Sequence, residues 1–164
     1  AQPDEMLQST LLVENLRRLA ETELTFDLCV RPQQLALAAA LVEQCPETQF
    51  VLDHAGAPDV AGGEIEGWKT GISEMAARSN VVCKFSGLGS LSDASQSLTP
   101  QVQPYFDHCL ECFFPERILW GSDWPVSSDL VAWLSTTRDL LSELQDFEQA
   151  AIGTNNANRI YRLN

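Results

Sequence analysis

The feature that most constrains this chain is the regular alternation of short apolar runs with amphipathic helical stretches. The runs begin near residues 24, 49, 81 and 118. Their spacings of 25, 32 and 37 residues suit a strand followed by a crossover helix. Each run stops at a breaker: Arg31-Pro32 after 24–30, His54-Ala-Gly-Ala-Pro58 after 49–53, Gly87 after 81–86, and Asp123-Trp124-Pro125 after 118–122. Helical patterns fill 4–21, 33–45, 68–79, 101–113, 129–144 and 146–161, with Pro104 expected in the first turn of its helix. The order α-β-α-β-α-β-α-β-α-α predicts a parallel sheet covered by helices.

Arithmetic narrows the choice. An eight-stranded (β/α)₈ barrel takes roughly 250 residues, about 31 per unit. The 164 residues here hold four units and a helical tail. The expectation is therefore a single α/β domain over 1–164 that makes half of a barrel. The other reading is a small open sheet, which would leave two edges unpaired. No Gly-x-Gly-x-x-Gly and no P-loop supports a nucleotide-binding open sheet. A half-barrel is expected to be inactive alone and to need a complementary half or a second copy.

With 23 acids against 10 bases the net charge is −13, which argues against nucleic acid and anionic membranes as partners. No stretch approaches the ~18 apolar residues of a membrane span. The N-terminus lacks the layout of a signal peptide. A cytoplasmic protein acting on a small molecule is expected. The five cysteines, an odd number, fit reduced, buried thiols. Cys109-x-x-Cys112 has redox-motif spacing but lies inside a helical pattern, where no helix N-terminus favours a thiolate.

In a parallel sheet the C-terminal strand ends face one way, and chemistry gathers there. His54 and Asp123 each follow a strand, so sequence distance does not prevent their meeting. Such a pair can activate water, the carboxylate taking the proton and the imidazole orienting a carbonyl. The same two residues can ligate a divalent metal. Two ligands leave that site incomplete, so a zinc ion and no metal at all both stay open. Asp53 is expected on the opposite side of its strand from His54, in a structural role. Lys84 interrupts an apolar strand, which implies either substrate-anion binding or a salt bridge to a strand-end acid. Arg31 is placed to grip a carboxylate or hydroxyl of a substrate. Trp124 is a candidate pocket wall.

Four segments then carry a resemblance. They are Phe50-Val-Leu-Asp-His-Ala-Gly-Ala-Pro58, Asn80-Val-Val-Cys-Lys-Phe-Ser-Gly-Leu88, Pro115-Glu-Arg-Ile-Leu-Trp-Gly-Ser-Asp-Trp-Pro-Val126 and Gly153-Thr-Asn-Asn-Ala-Asn-Arg-Ile-Tyr161. Together they resemble the amidohydrolase-2 group of the amidohydrolase superfamily, predicted metal-dependent hydrolases of TIM-barrel fold that include lactonases of sugar acids and of a pyrone dicarboxylate. The resemblance implies the C-terminal half of a (β/α)₈ barrel and hydrolysis of a lactone or related cyclic ester. It implies His54 as the histidine after a middle strand and Asp123 as the acid that activates water. It also leaves a zinc-dependent decarboxylase as an alternative. The His-x-His pair of the group's first strand has no counterpart here, and Ala57 stands where relatives often carry a basic residue.

Overall fold

The computed structural model describes residues 3–127 and 129–163. Helices α1 (Asp4–Leu7) and α2 (Thr10–Leu19) lead into strand β1 (Phe26–Leu28). Then follow α3 (Leu35–Glu43), β2 (Phe50–Leu52), α4 (Glu66–Ala76), β3 (Val81–Phe85), α5 (Leu98–Phe113) and β4 (Ile118–Trp120). Helices α6 (Leu130–Ser142), α7 (Asp146–Ala150) and α8 (Asn156–Tyr161) close the chain. The strands pair in chain order, all parallel, with Leu28 beside Leu52, Leu52 beside Cys83 and Phe85 beside Trp120. This is the β/α-unit architecture the spacing predicts.

Strand alternation sorts side chains onto two faces. Leu28, Phe50, Leu52, Val81, Cys83, Phe85 and Ile118 enter the large core shared with the helices. Val51, Val82 and Leu119 form a smaller apolar layer on the other face, closed by Ile160 with Ala157 and Tyr161 of α8. Burial on both faces explains why the strands read as nearly unbroken apolar runs.

That second face also holds the half-buried charge of β3. Lys84 Nζ lies 2.6 Å from Asp27 Oδ2 and 2.6 Å from Asp53 Oδ1. Tyr161 donates its hydroxyl to Asp27 Oδ2 at 2.8 Å, and the ammonium lies 5.3 Å from the Tyr161 ring centroid. Burial works to lower the Lys84 pKa, but the hydrogen bonds to Asp27, Asp53 and Tyr161 outweigh it and hold the group well above its usual range. Of the two readings open for Lys84, the structure shows the salt bridge.

The Asn-Ala-Asn-Arg segment is a clamp on the start of β4. Asn156, buried, donates to the Pro115 and Ile118 carbonyls at 2.7 and 2.8 Å. Arg159 donates to the Glu116 carbonyl at 2.6 Å. Arg117 in turn donates to the Ala76, Arg78 and Val81 carbonyls, tying the starts of β3 and β4 together.

Several boundaries differ from the sequence reading. The helix expected over 4–21 is two, because Ser9 is extended (φ −72°, ψ 127°). Helix α5 begins at Leu98, so Pro104 lies inside it and Pro100 occupies the first turn, where a missing N–H costs nothing. The last helical stretch widens to a π-helix over Ala151–Asn155. The described cysteines are all free thiols. Cys109, inside α5, is fully buried with its Sγ 3.9 Å from Cys83 Sγ. That hydrogen bond to Cys83, with burial, raises the thiol pKa well above its usual value, the reverse of what a reactive redox cysteine needs.

Candidate active site

The chain leaves β2 through a run of left-handed residues. His54, Ala55, Gly56 and Ala57 have φ of 54°, 49°, 71° and 48°. Non-glycine residues enter this region at a cost of ~1–2 kcal/mol each, so the turn needs external support. Trp68 of α4 supplies it, donating its indole N–H to the Ala55 carbonyl at 2.7 Å, and the Ala57 N–H closes on the His54 carbonyl at 2.8 Å. The result aims the His54 ring across the strand ends toward β3 and β4.

Asp123 is presented by a second anchored turn. Trp133 of α6 donates to the Gly121 carbonyl at 2.9 Å, and Trp120 donates to Thr137 Oγ1 at 3.1 Å. These two indoles fix the end of β4 against α6. Asp123 then takes a left-handed φ of 59°, and its carbonyl accepts from the Val126 and Ser127 N–H groups at 2.8 and 2.9 Å. The following Trp124–Pro125 peptide is cis.

The two side chains meet. His54 Nδ1 is 3.9 Å from Asp123 Oδ1, with side-chain exposures of 29% and 14%, enough for water to enter. Ser86, buried at the end of β3, places its Oγ 2.9 Å from the same Nδ1. Gly87 lies flat beneath both groups: a Cβ there would come within 2.7 Å of His54 Nδ1 and 3.4 Å of Asp123 Oδ2, and its φ is +77°. Ser86 and Gly87 were missed as site residues. Their signal was their place directly after β3, equivalent to His54 after β2.

The remaining candidates fall as follows. Arg31 is exposed just past β1 and lines a cavity of about 420 Å³ together with Cys29, Ala57, Pro58, Asp59 and Leu91. Its backbone N–H donates to Gln34 Oε1 at 3.1 Å, which starts the turn into α3. Trp124 is 73% exposed, just past Asp123 at the end of β4. Lys84 is held by Asp27 and Asp53 beneath the strand ends.

Asp53 is not turned away from His54. Ligand atoms of Cys29, Asp53 and His54 all lie within 4.8 Å of one another. The alternation expected of consecutive strand residues stops at Leu52, because His54 is already left-handed. Sulfur, nitrogen and carboxylate oxygen in this grouping suit a zinc-type ion, so the residues present fit a divalent metal.

The amidohydrolase family model matches residues 2–163. The chain belongs to this family. It is 32% identical over 167 residues to an L-fucono-1,5-lactonase of Burkholderia ambifaria, covering 98% of this chain and 57% of that protein. A 2-pyrone-4,6-dicarboxylate hydrolase of Comamonas testosteroni is 35% identical over 86 residues, 48% of this chain and 28% of that one. The crystal structure of a Burkholderia multivorans amidohydrolase with bound zinc superposes with a TM-score of 0.91 at 27% identity, over 98% of this chain and 60% of that one. The amidohydrolase chain described here thus spans somewhat over half the length of its relatives. Its four β/α units are those of a partial barrel. Among the described residues, no helix is long and apolar enough to cross a membrane.

Proposed function

We propose that this amidohydrolase takes part in hydrolysing a lactone of a sugar acid or a related cyclic ester. The observation that carries the reading is the approach of His54 Nδ1 to Asp123 Oδ1, 3.9 Å apart at the C-terminal ends of β2 and β4. Relatives named as lactonases and pyrone hydrolases support it, and they favour hydrolysis over decarboxylation.

Asp123 acts as the general base on a water between it and the substrate. The hydroxide equivalent adds to the lactone carbonyl carbon. The tetrahedral intermediate then expels the ring alkoxide, which takes back the proton Asp123 removed from water and becomes the free hydroxyl of the open acid. His54 orients the carbonyl, with Ser86 fixing the ring through Nδ1. Arg31, at the mouth of the 420 Å³ cavity, contacts polar groups of the substrate away from the reacting carbon. A divalent ion held at His54 would polarise the carbonyl and acidify the attacking water. The His54–Asp123 pair would supply two donors for such an ion, and Cys29 and Asp53, whose ligand atoms lie within 4.8 Å of that of His54, would supply others.

The test is turnover of L-fucono-1,5-lactone and a panel of sugar lactones by the full-length protein and by its Asp123→Asn variant. General-base removal lowers kcat by ~10²–10⁴-fold, with KM little changed. Undiminished kcat in Asp123→Asn overturns the mechanism.

A further inference from the structure

Helices α4 and α5 bring a second cluster of reactive groups together in the outer layer. His108 and Cys112 are one turn apart on α5 and so share a face of it, and Glu111 also stands one turn from His108. Ser73 of α4 faces them. His108 Nε2 lies 3.5 Å from Cys112 Sγ and 3.3 Å from Ser73 Oγ. Its Nδ1 lies 3.5 Å from Glu111 Oε2. Nucleophile, imidazole and carboxylate thus stand in the order that activated nucleophiles share. Trp68 packs edge-on against the His108 ring, centroids 5.5 Å apart, and steadies its plane. The cluster occupies the last two turns of α5, just ahead of β4, at the opposite end of the sheet from His54 and Asp123.

The partners decide where the protons are. The Lys69 carbonyl, 3.1 Å from His108 Nε2, can only accept, so Nε2 carries a proton. The Glu111 carboxylate draws a proton to Nδ1 in the same way. A ring protonated on both nitrogens is a cation, and a cation in contact with a thiol favours the thiolate. Arg117 adds a second positive charge, donating to the Cys112 carbonyl at 3.3 Å. The C-terminal end of α5 opposes a thiolate by ~0.3–1 kcal/mol. A hydrogen bond to a charged group contributes ~1.5–3 kcal/mol, so the pairing with His108 wins. Glu111 is 77% exposed, and solvent screens its charge from the sulfur. Cys109 turns to Cys83 of β3 and is fully buried, so a disulfide at Cys112 takes its second sulfur from outside the chain.

We infer that Cys112, paired with His108, is a modification site at which the protein forms a reversible mixed disulfide with a small disulfide that carries carboxylates. The Cys112 thiolate attacks one sulfur of the small disulfide. The new S–S bond forms as the old one breaks, and the departing sulfur leaves as a thiolate that takes a proton from solvent. Cys112 is oxidised and the departing thiol is reduced, so the exchange balances without a further oxidant. Carboxylates on the reagent suit the two cations, His108 and Arg117, beside the sulfur. An excess of small thiol reverses the step. The inference is independent of lactone hydrolysis, and its readouts do not depend on turnover.

Glutathione disulfide is the probe, with iodoacetamide as a second reagent that reads the thiolate alone. The full-length protein is treated at pH ~7, and peptide mass spectrometry gives the rate at each cysteine. A free thiol is about 3% ionised there, so pairing gains at most ~30-fold, and the lower nucleophilicity of a stabilised thiolate takes part of this back. Cys112 is therefore expected to react ~3–10-fold faster than a cysteine in an unfolded peptide, and His108→Gln to return it to the peptide rate. Glu111 is 77% exposed, so Glu111→Gln is expected to fold and to slow Cys112 in the same direction, which separates loss of pairing from misfolding of His108→Gln. Cys29, also exposed, keeps its rate in both variants. A Cys112 rate at or below that of the peptide, a rate unmoved by His108→Gln and Glu111→Gln alike, or glutathione adducts on Cys29 with none on Cys112 overturns the inference.

Discussion

Gly87→Ala tests the geometry of the His54–Asp123 pair without touching either residue. Two costs are separable at this position. The first is conformational: φ is +77°, where an alanine pays ~1–2 kcal/mol. The second is steric: the new methyl would lie 2.7 Å from His54 Nδ1 and 3.1 Å from its Cγ. The ring must move, and the 2.9 Å contact with Ser86 Oγ goes with it, worth ~0.5–1.5 kcal/mol. Together these predict a loss of about 1.5–3.5 kcal/mol in urea denaturation. Activity should fall further, because a displacement near 1 Å in a catalytic group costs ~10²-fold. Gly63→Ala is the control. Its φ of +69° carries the same conformational cost, but nothing lies within 4 Å of the added methyl. It should lose ~1–2 kcal/mol and keep its kcat/KM on the lactone panel. Equal stability losses in the two variants, with kcat/KM intact in Gly87→Ala, would refute the claim that Gly87 holds the pair in place.

Two further outcomes follow from the half-buried and buried polar groups. Lys84 is held well above its ordinary pKa and Tyr161 is raised to about 12, its burial being the larger cause. Both keep a proton more tightly folded than unfolded, so their stabilisation is whole below about pH 10 and is lost as pH rises through the folded values. Urea midpoints should fall steeply above about pH 10, and Tyr161→Phe should make that fall shallower. Asn156→Ala leaves the Pro115 and Ile118 carbonyls without their clamp and should cost about 2 kcal/mol or more in denaturation.

The architecture was legible because it rests on coarse regularities. Four apolar runs at crossover spacing, each closed by a breaker, fix a parallel sheet whatever the details of its ends. Boundaries were less legible where backbone geometry overrides pattern. The leucines of 4–21 keep one helical period across Ser9, yet the chain is extended there. Pro104 was expected in the first turn of a helix over 101–113 because a first turn tolerates proline best. The helix begins three residues earlier, at Leu98, because Leu98 to Val102 already supply a turn ending in a buried side chain. The Gly153–Tyr161 segment showed family likeness in sequence, but its job as a clamp on β4 emerges only when Asn156 is seen against two carbonyls about forty residues away.

The site shows a sharper version of the same limit. A strand's alternation predicts side-chain direction only while the backbone stays extended. His54 and Asp123 are the places where it stops, and both have φ near +55° to +60°. Placing His54 at the strand end needed only the breaker at Ala55-Gly56, so its approach to Asp123 could be anticipated. Asp53 needed the sign of φ at the next residue, which no pattern of apolar residues encodes, so its nearness to His54 was misread. Cys29 needed the register of β1 against β2, a property of two strands together. The residues proposed to carry this amidohydrolase's chemistry are therefore the ones whose neighbours are set by left-handed turns and cross-strand register. A perturbation that straightens the turn at 54–57 should scatter His54 from Asp123, Ser86 and Cys29 at once. Trp68, which holds the Ala55 carbonyl from beneath, is where that coupling would be tested: Trp68→Phe keeps an aromatic ring there and removes the one donor.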